Sequence, residues 1–227
     1  MNFIFNPRIV TIASISKRFS TNDIKAEPML FGADLAFSRT HGGPITNHVL
    51  DTLEESDVFI DWRKRFENGL LPLTHIVIDS RVNMLMSGMY PSIPGWHGDD
   101  VPRGVKYTQP DLNGIETNAF IHFMVLFSDN EKPVSATEFV VEPVALNVDQ
   151  DNVWQSVNAG VEALKPRTSR LQEGDIIAFG QEALHRASPC VQSGWRFFIR
   201  VSFTYRKPVN EIRQQVQVYM PIETAGW

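Results

Sequence analysis

Residues 195–203 read Trp-Arg-Phe-Phe-Ile-Arg-Val-Ser-Phe, and their alternation predicts a β-strand with two chemically different faces. One face is entirely apolar and consists of Trp195, Phe197, Ile199, Val201 and Phe203. The other face carries Arg196, Phe198, Arg200 and Ser202. We expect the apolar face to pack under a helical layer and the arginine face to line an interior, where a charge without a partner costs several kcal/mol.

Other β-branched and aromatic runs, separated by Gly, Pro, Asn and Asp, predict further strands. They cover 75–79, 82–90, 119–127, 137–146 and 175–180. Helices are predicted before them, at 46–56 with Thr46 and Asn47 as N-cap candidates, and at 58–68. Helices followed by many short strands indicate a mainly β sandwich or barrel with a helical layer on one side. We expect a single domain over 1–227, with a helical or irregular layer at 1–72, a β core at 73–210 and a C-terminal extension at 211–227.

Composition narrows the classes of function. The chain has 227 residues, 43% of them hydrophobic, which suits one well-buried core. A net charge of −5 lacks the basic excess that drives binding to phosphate backbones, so we do not expect a nucleic-acid partner. Cys190 is the only cysteine, so any metal must be held by histidines and carboxylates. Without a secretory signal pattern or a membrane-length apolar run, we expect a cytoplasmic protein that does not enter a membrane.

The candidate chemistry lies in Trp96-His97-Gly98-Asp99 and in His185, which follows the Gly174-Asp-Ile-Ile-Ala-Phe turn and strand. Two residues apart on an extended segment, His97 and Asp99 project to the same side. With His185 they make the two-histidine, one-carboxylate set that non-haem iron(II) prefers. A lone histidine such as His97 is more often an ordinary surface residue. Asp100 is an alternative ligand to Asp99, although adjacent residues on an extended segment point apart.

From about residue 82 to 207 the chain resembles the iron(II)- and 2-oxoglutarate-dependent oxygenases, particularly the phytanoyl-CoA hydroxylase and taurine dioxygenase branches. The resemblance rests on His97-Gly-Asp99, Ala136-Thr-Glu-Phe-Val140, Gly174–Phe179 leading to His185-Arg-Ala-Ser-Pro189, and Trp195-Arg196 with Arg200. It implies a double-stranded β-helix (a cupin-like jelly roll) that holds iron(II) through His97, Asp99 and His185. It further implies that Arg196 clamps the distal carboxylate of 2-oxoglutarate, with Thr137 and Tyr90 near that co-substrate. Arg200 resembles a position that meets an anionic substrate group in some members.

The implied activity is that of a dioxygenase, which oxidises a small-molecule, amino-acid or peptide substrate and releases succinate and carbon dioxide. The Pro- and Gly-rich loop at 91–113 is a candidate pocket lid, in which Arg103 and Lys106 are candidate substrate contacts, as is Trp96. His122 and Cys190 are expected to be packed core residues, and Thr137 and Tyr90 also have purely structural interpretations. Two alternatives are a cupin-type metalloenzyme with the same ligands but no 2-oxoglutarate, and a non-catalytic jelly-roll binding module. The oligomeric state is left open.

Overall fold

The computed structural model describes residues 1–71, 73–103, 109–115, 121–129 and 134–220. Within these ranges the protein is mainly β with a few helices. The strands are β1 (Asn2–Phe5), β2 (Ile9–Ser14), β3 (Met29–Phe31), β4 (His75–Leu85), β5 (His122–Ser128), β6 (Thr137–Val140), β7 (Val144–Asn147), β8 (Thr168–Arg170), β9 (Asp175–Phe179), β10 (His185–Ala187), β11 (Gly194–Thr204) and β12 (Glu211–Arg213). The helices are α1 (Thr21–Ala26), α2 (Leu35–His41), α3 (Pro44–Glu54), α4 (Asp57–Glu67) and α5 (Val153–Leu164), with a 3₁₀ turn at Leu112–Gly114.

The main sheet has five antiparallel strands in the order β2-β9-β5-β11-β4. β11, which contains residues 195–203, pairs along its whole length with β4 and also pairs with β5. A second sheet has the order β10-β6-β8, and two ribbons pair β1 with β7 and β3 with β12. Antiparallel pairing keeps alternate residues on one face, so the two faces predicted for β11 continue across its neighbours.

The apolar face of the main sheet carries the largest hydrophobic cluster. Phe197, Ile199, Val201 and Phe203 are essentially inaccessible to solvent and pack against side chains of α1, α3 and α4. The Phe59 ring of α4 meets the Phe123 ring of β5 edge-on, with 5.0 Å between centroids. The prediction that this face packs under a helical layer is therefore confirmed.

The opposite face of the main sheet meets the second sheet. Met124, Leu126 and Phe179 of the main sheet form a buried cluster with Phe139 of β6. A further buried cluster joins α5 to the β1-β7 ribbon and to the segment containing Trp96. The protein thus has hydrophobic packing on both sides of the main sheet, with the polar side chains of β11 lying between the two sheets.

The two ends of the chain contain more strand structure than predicted. We expected 1–72 to be helical or irregular, yet β2 is an edge strand of the main sheet and β1 pairs with β7. The pairing of β2 with β9 shifts register between Thr11 and Ala13, and such an irregularity weakens the alternation that marks a strand. In the expected extension at 211–227, β12 returns to pair with β3, while residues 221–227 lie outside the described residues.

Some predicted element limits were also wrong. The runs 75–79 and 82–90 were predicted as separate strands, but β4 continues unbroken through the two residues between them and ends at Leu85, so residues 86–90 lie beyond it. Between the two runs, the Ser80 hydroxyl accepts from the Leu30 N–H of β3 at 2.8 Å. The run 137–146 is divided into β6 and β7. The run 119–127 corresponds to β5, and residues 119 and 120 lie outside the described residues.

The start of α3 also differs from its prediction. Gly43 is the N-cap and Pro44 the first helical residue, so Thr46 and Asn47 are not the caps. The Thr46 hydroxyl instead donates at 2.8 Å to the carboxylate of Glu27, which also accepts from the Ile45 N–H at 2.6 Å. A carboxylate from outside the helix therefore satisfies its first N–H groups. Within the described parts of the chain, no helix has both the length and the apolar character needed to cross a bilayer.

Candidate metal centre

Backbone pairing places the two candidate histidines side by side. The His97 N–H donates to the His185 carbonyl at 3.1 Å, and the His185 N–H donates to the His97 carbonyl at 2.9 Å. Residues that exchange both hydrogen bonds in an antiparallel pair project their side chains to the same side. The two imidazole centroids are accordingly 4.8 Å apart.

Asp99 completes the group. Its carboxylate lies 3.2 Å from Nε2 of His185 and 3.9 Å from Nε2 of His97. One ligand atom from each of the three residues lies within 4.8 Å of the other two, close enough to hold one metal ion. Asp100 does not join this group and has a left-handed backbone with φ of 50°. The structure thus brings together the three residues that the sequence proposed as ligands.

Hydrogen bonds orient both imidazole rings. Nδ1 of His97 lies 2.7 Å from the Gly95 carbonyl oxygen, and Nδ1 of His185 lies 2.9 Å from that of Ala183. A carbonyl can only accept, so Nδ1 of each ring donates to it, and Nε2 is the ring nitrogen that faces Asp99. Backbone carbonyls in this role are typical partners of metal-binding histidines.

Gly98 allows the loop to approach the segment before His185. A Cβ on Gly98 would lie 2.5 Å from the carbonyl oxygen of Gln181, closer than non-bonded atoms approach. The side-chain amide of Gln181 in turn donates to the Asp100 carbonyl at 2.6 Å. Sequence reasoning did not single out Gly98 or Gln181 as contributors, although the glycine between the two ligands was a signal for a close backbone approach.

Charged neighbours control the ionisation of Asp99. Its carboxylate forms an ion pair with the Arg200 guanidinium, which also lies 3.8 Å from Asp79. Burial raises the pKa of Asp99, but Arg200 and the two imidazoles outweigh burial and hold this pKa well below its usual range. Burial and the nearby His185 lower the pKa of His97. A carboxylate that stays ionised beside a neutral His97 is the protonation state in which these residues bind a metal.

Arg196 lies in the same cavity as the three candidate ligands, and that cavity has a volume of 580 Å³. Its side chain is only 4% exposed, and its Nε donates to the Ser135 carbonyl at 3.0 Å. Burial, with a contribution from Arg81, lowers the pKa of Arg196 to about 10, so it remains a cation at neutral pH. Thr137 also lines the cavity, two residues beyond the carbonyl that holds Arg196. A volume of this size suits a small molecule.

The other candidate residues have different surroundings. Tyr90 does not line this cavity, and its backbone pairs with Tyr219 instead. Trp96 is in the cavity wall, but its indole is 2% exposed and donates to Glu162 at 2.9 Å, so it is mainly a packed residue. Arg103 lines the cavity, whereas Lys106 lies outside the described residues.

Two residues expected to be packed in the core are buried. Nδ1 of His122 lies 2.8 Å from the Ser202 hydroxyl, and burial, followed by Arg200, lowers the pKa of this histidine to about 4. The Cys190 thiol is buried, and burial raises its pKa. Neither residue lines the cavity, which agrees with a structural role for both.

Comparison with protein-family models, with curated proteins and with solved structures finds no match to this chain.

Proposed function

We propose that this protein is an iron(II)- and 2-oxoglutarate-dependent dioxygenase that oxidises a small-molecule, amino-acid or peptide substrate and forms succinate and carbon dioxide. The observation that carries the proposal is the presence of two sites in one cavity: the group of His97, Asp99 and His185, and the buried cation of Arg196. The first suits a metal ion, and the second suits a carboxylate co-substrate.

The donor set fits iron(II). Two neutral imidazole nitrogens and one carboxylate are the ligands that non-haem iron(II) takes in oxygenases, with coordination positions left for other molecules. When bound, iron(II) with 2-oxoglutarate supplies the oxygen activation that the side chains cannot perform. The protein's part is to hold His97 and His185 through their backbone pair and to keep Asp99 ionised beside Arg200.

Arg196 is suited to bind the far carboxylate of 2-oxoglutarate. Guanidinium groups bind carboxylates through two parallel hydrogen bonds, and a carboxylate partner would offset the cost of burying this cation. The bond from Nε to Ser135 fixes the side chain, and the Thr137 hydroxyl is a second candidate contact at this end of the cavity. A cupin-type enzyme without 2-oxoglutarate would have no need of this buried cation.

The fold that best fits this function is a jelly roll, in which the five-stranded sheet and the β10-β6-β8 sheet form the two walls of a double-stranded β-helix. Its support is that both sheets contribute to the cavity: Arg196 and Arg200 from one, Thr137 and His185 from the other.

The function is tested by succinate formation. Purified protein with iron(II), 2-oxoglutarate, ascorbate and air should form succinate slowly even without the substrate, because ascorbate then supplies the two electrons that the substrate would otherwise give. His185→Ala should remove one ligand, lowering metal affinity and succinate formation by about tenfold or more. Arg167→Gln, which removes an exposed arginine that does not line the cavity, is the matched control. Oxygen-dependent succinate formation at equal rates in His185→Ala and wild type would refute the assignment of this centre.

A further inference from the structure

The cavity has a charge opposite to that of the whole chain. Its lining contains seven arginines and three aspartates, whereas the chain carries a net charge of −5. Arginines gathered in one cavity repel one another unless anions lie between them. We therefore expect anionic groups, from the protein or from a ligand, to lie between these guanidinium groups.

Some of these arginines have protein partners and others do not. Arg186, Arg200 and Arg206 form ion pairs with carboxylates. Among the described residues, no carboxylate comes within 4.0 Å of the guanidinium groups of Arg81 or Arg213. Both are half-buried rather than solvent-exposed. Besides Arg196, these two cations of the cavity wall are thus left without an ion-pair partner in the described protein.

The strand register puts Arg81 on the cavity face of the main sheet. Arg81 of β4 lies opposite Phe198 of β11, two register positions from both Arg196 and Arg200. Diagonal neighbours across antiparallel strands are about 7–8 Å apart at their α-carbons, within reach of long side chains. Arg81 is therefore near the proposed co-substrate clamp but occupies its own position on the sheet.

Arg213 reaches the same cavity from the C-terminal part of the chain. It lies on β12, opposite Met29 of β3, and its guanidinium is 3.8 Å from the centroid of the Phe31 ring. Phe31 and Arg213 both line the cavity. Stacking on the ring fixes the plane of the guanidinium and leaves its N–H groups free to bind a ligand. Burial, then Arg213 and Arg200, lower the pKa of Arg81 and outweigh the opposing effect of Asp79 and Asp99.

We propose that Arg81 and Arg213 together form a subsite for an oxyanion group of the substrate, a carboxylate, phosphate or sulfonate. Their role as a substrate subsite rests on the proposed oxygenase function, because that function assigns Arg196 to 2-oxoglutarate. The substrate class is then an acidic small molecule, anchored at the β4-β12 side of the cavity while its reacting carbon faces the His97, Asp99 and His185 group. Guanidinium forks from two different strands would also select for the planar or tetrahedral shape of an oxyanion.

The subsite can be tested with sulfate as the probe, without knowing the substrate. Isothermal titration calorimetry would measure sulfate binding to the full chain in two states. The first is the metal-free protein, and the second contains Mn²⁺ and saturating 2-oxoglutarate. Titration with chloride at matched ionic strength is the control for general salt effects. We expect one bound sulfate in both states. Arg81→Gln and Arg213→Gln should each weaken it by about tenfold, as expected when a charge-assisted hydrogen-bonding group is lost. Arg167→Gln, which removes an equal charge from an exposed site, should change it by less than about twofold.

The titration results distinguish failure of the oxyanion subsite from failure of the proposed oxygenase function. Sulfate affinities of Arg81→Gln and Arg213→Gln within twofold of wild type would overturn the subsite. Sulfate binding that disappears with saturating 2-oxoglutarate would also overturn it, because the anion would then occupy the co-substrate position. If Mn²⁺ fails to bind, the oxygenase function fails, while the metal-free titration still decides whether Arg81 and Arg213 bind an oxyanion.

Discussion

Asp99 is one end of a row of alternating charges that leads from the candidate metal centre to the surface. Its carboxylate pairs with Arg200, which faces Asp79, and Asp79 accepts from Arg206 at 2.5 Å. Arg206 is 37% exposed, so the row ends in partial contact with solvent. Asp79 thereby helps to hold the guanidinium that keeps Asp99 ionised.

Replacing Asp79 should reveal this role as a pH-dependent loss of stability. Asp79→Asn leaves Arg200 and Arg206 without their shared carboxylate, which should cost about 2–3 kcal/mol at pH 7. Burial raises the pKa of Asp79, but Arg206 and Arg200 outweigh burial and lower it. A lowered folded-state pKa means that the stabilisation is present above about pH 4 and is lost as pH falls through the folded value.

Urea unfolding of the metal-free protein at several pH values measures this effect. The free energies of unfolding of wild type and Asp79→Asn should converge below about pH 4. Asp61→Asn, an exposed carboxylate on α4, should change the free energy by less than about 0.5 kcal/mol. A difference between Asp79→Asn and wild type that stays constant with pH would contradict the ion-pair account.

At the scale of elements, the site depends on how closely the His97–Asp99 segment approaches the chain before β10. Gly98→Ala should push that segment away from the Gln181 carbonyl, because the new Cβ would lie 2.5 Å from its oxygen. The His97 and His185 rings should separate, and Mn²⁺ affinity should fall by about tenfold or more. Gly95→Ala is the matched control in the same loop, since its Cβ would meet Asn158 at an ordinary 3.5 Å. Equal Mn²⁺ affinities of the two variants in calorimetry would contradict the role given to the close approach.

Strands in which apolar residues recur at every second position could be predicted from the sequence. Elements in which this pattern or the end signals are weak could not. β11 was predicted within a residue at each end, because five apolar residues alternate with a second set in which three of four residues are polar. α5 was missed, although Val153, Val157 and Val161 recur at the four-residue spacing that marks one buried helix face. The helix lies between two short strands, β7 and β8. Its N-cap residue makes no side-chain hydrogen bond, so the usual sequence signal for a helix start was missing.

At the scale of the whole molecule, one face of the main sheet packs in the hydrophobic core and the other face lines the cavity of the candidate site. Ile199 is fully buried under the helical layer, and its β11 neighbours Phe198 and Arg200 line the cavity. Ile199→Ala should therefore destabilise the protein by about 2–5 kcal/mol while leaving the metal ligands in place. Chemical unfolding with circular dichroism would measure the loss, and calorimetry below the transition should give wild-type Mn²⁺ affinity. A tenfold loss of Mn²⁺ affinity in Ile199→Ala would contradict this separation of faces.

The sequence predicted which residues lie together in the cavity better than it predicted the hydrogen bonds and ion pairs that each of them forms. His97, Asp99, His185, Arg196 and Thr137 were proposed from motifs, and all five line one cavity. Tyr90 was proposed by its position before the motif, but its backbone instead pairs with Tyr219. The ion pair of Arg200 with Asp99 joins residues 101 positions apart, and no local pattern encodes such a contact. It depends on the fold bringing β11 beside the His97–Asp99 segment, with which β11 forms no strand pair.

The central claim is that one cavity binds iron(II) and 2-oxoglutarate together, with Arg196 as the clamp. Its most direct test is anaerobic titration of the metal-free protein with iron(II) and then 2-oxoglutarate, following the weak visible charge-transfer band of the chelate. We predict a band that requires both additions in wild type and in Arg167→Gln, and that in Arg196→Ala weakens or needs about tenfold or more 2-oxoglutarate. Iron binding without a band in wild type, or a band of equal strength and 2-oxoglutarate dependence in Arg196→Ala, would contradict the account.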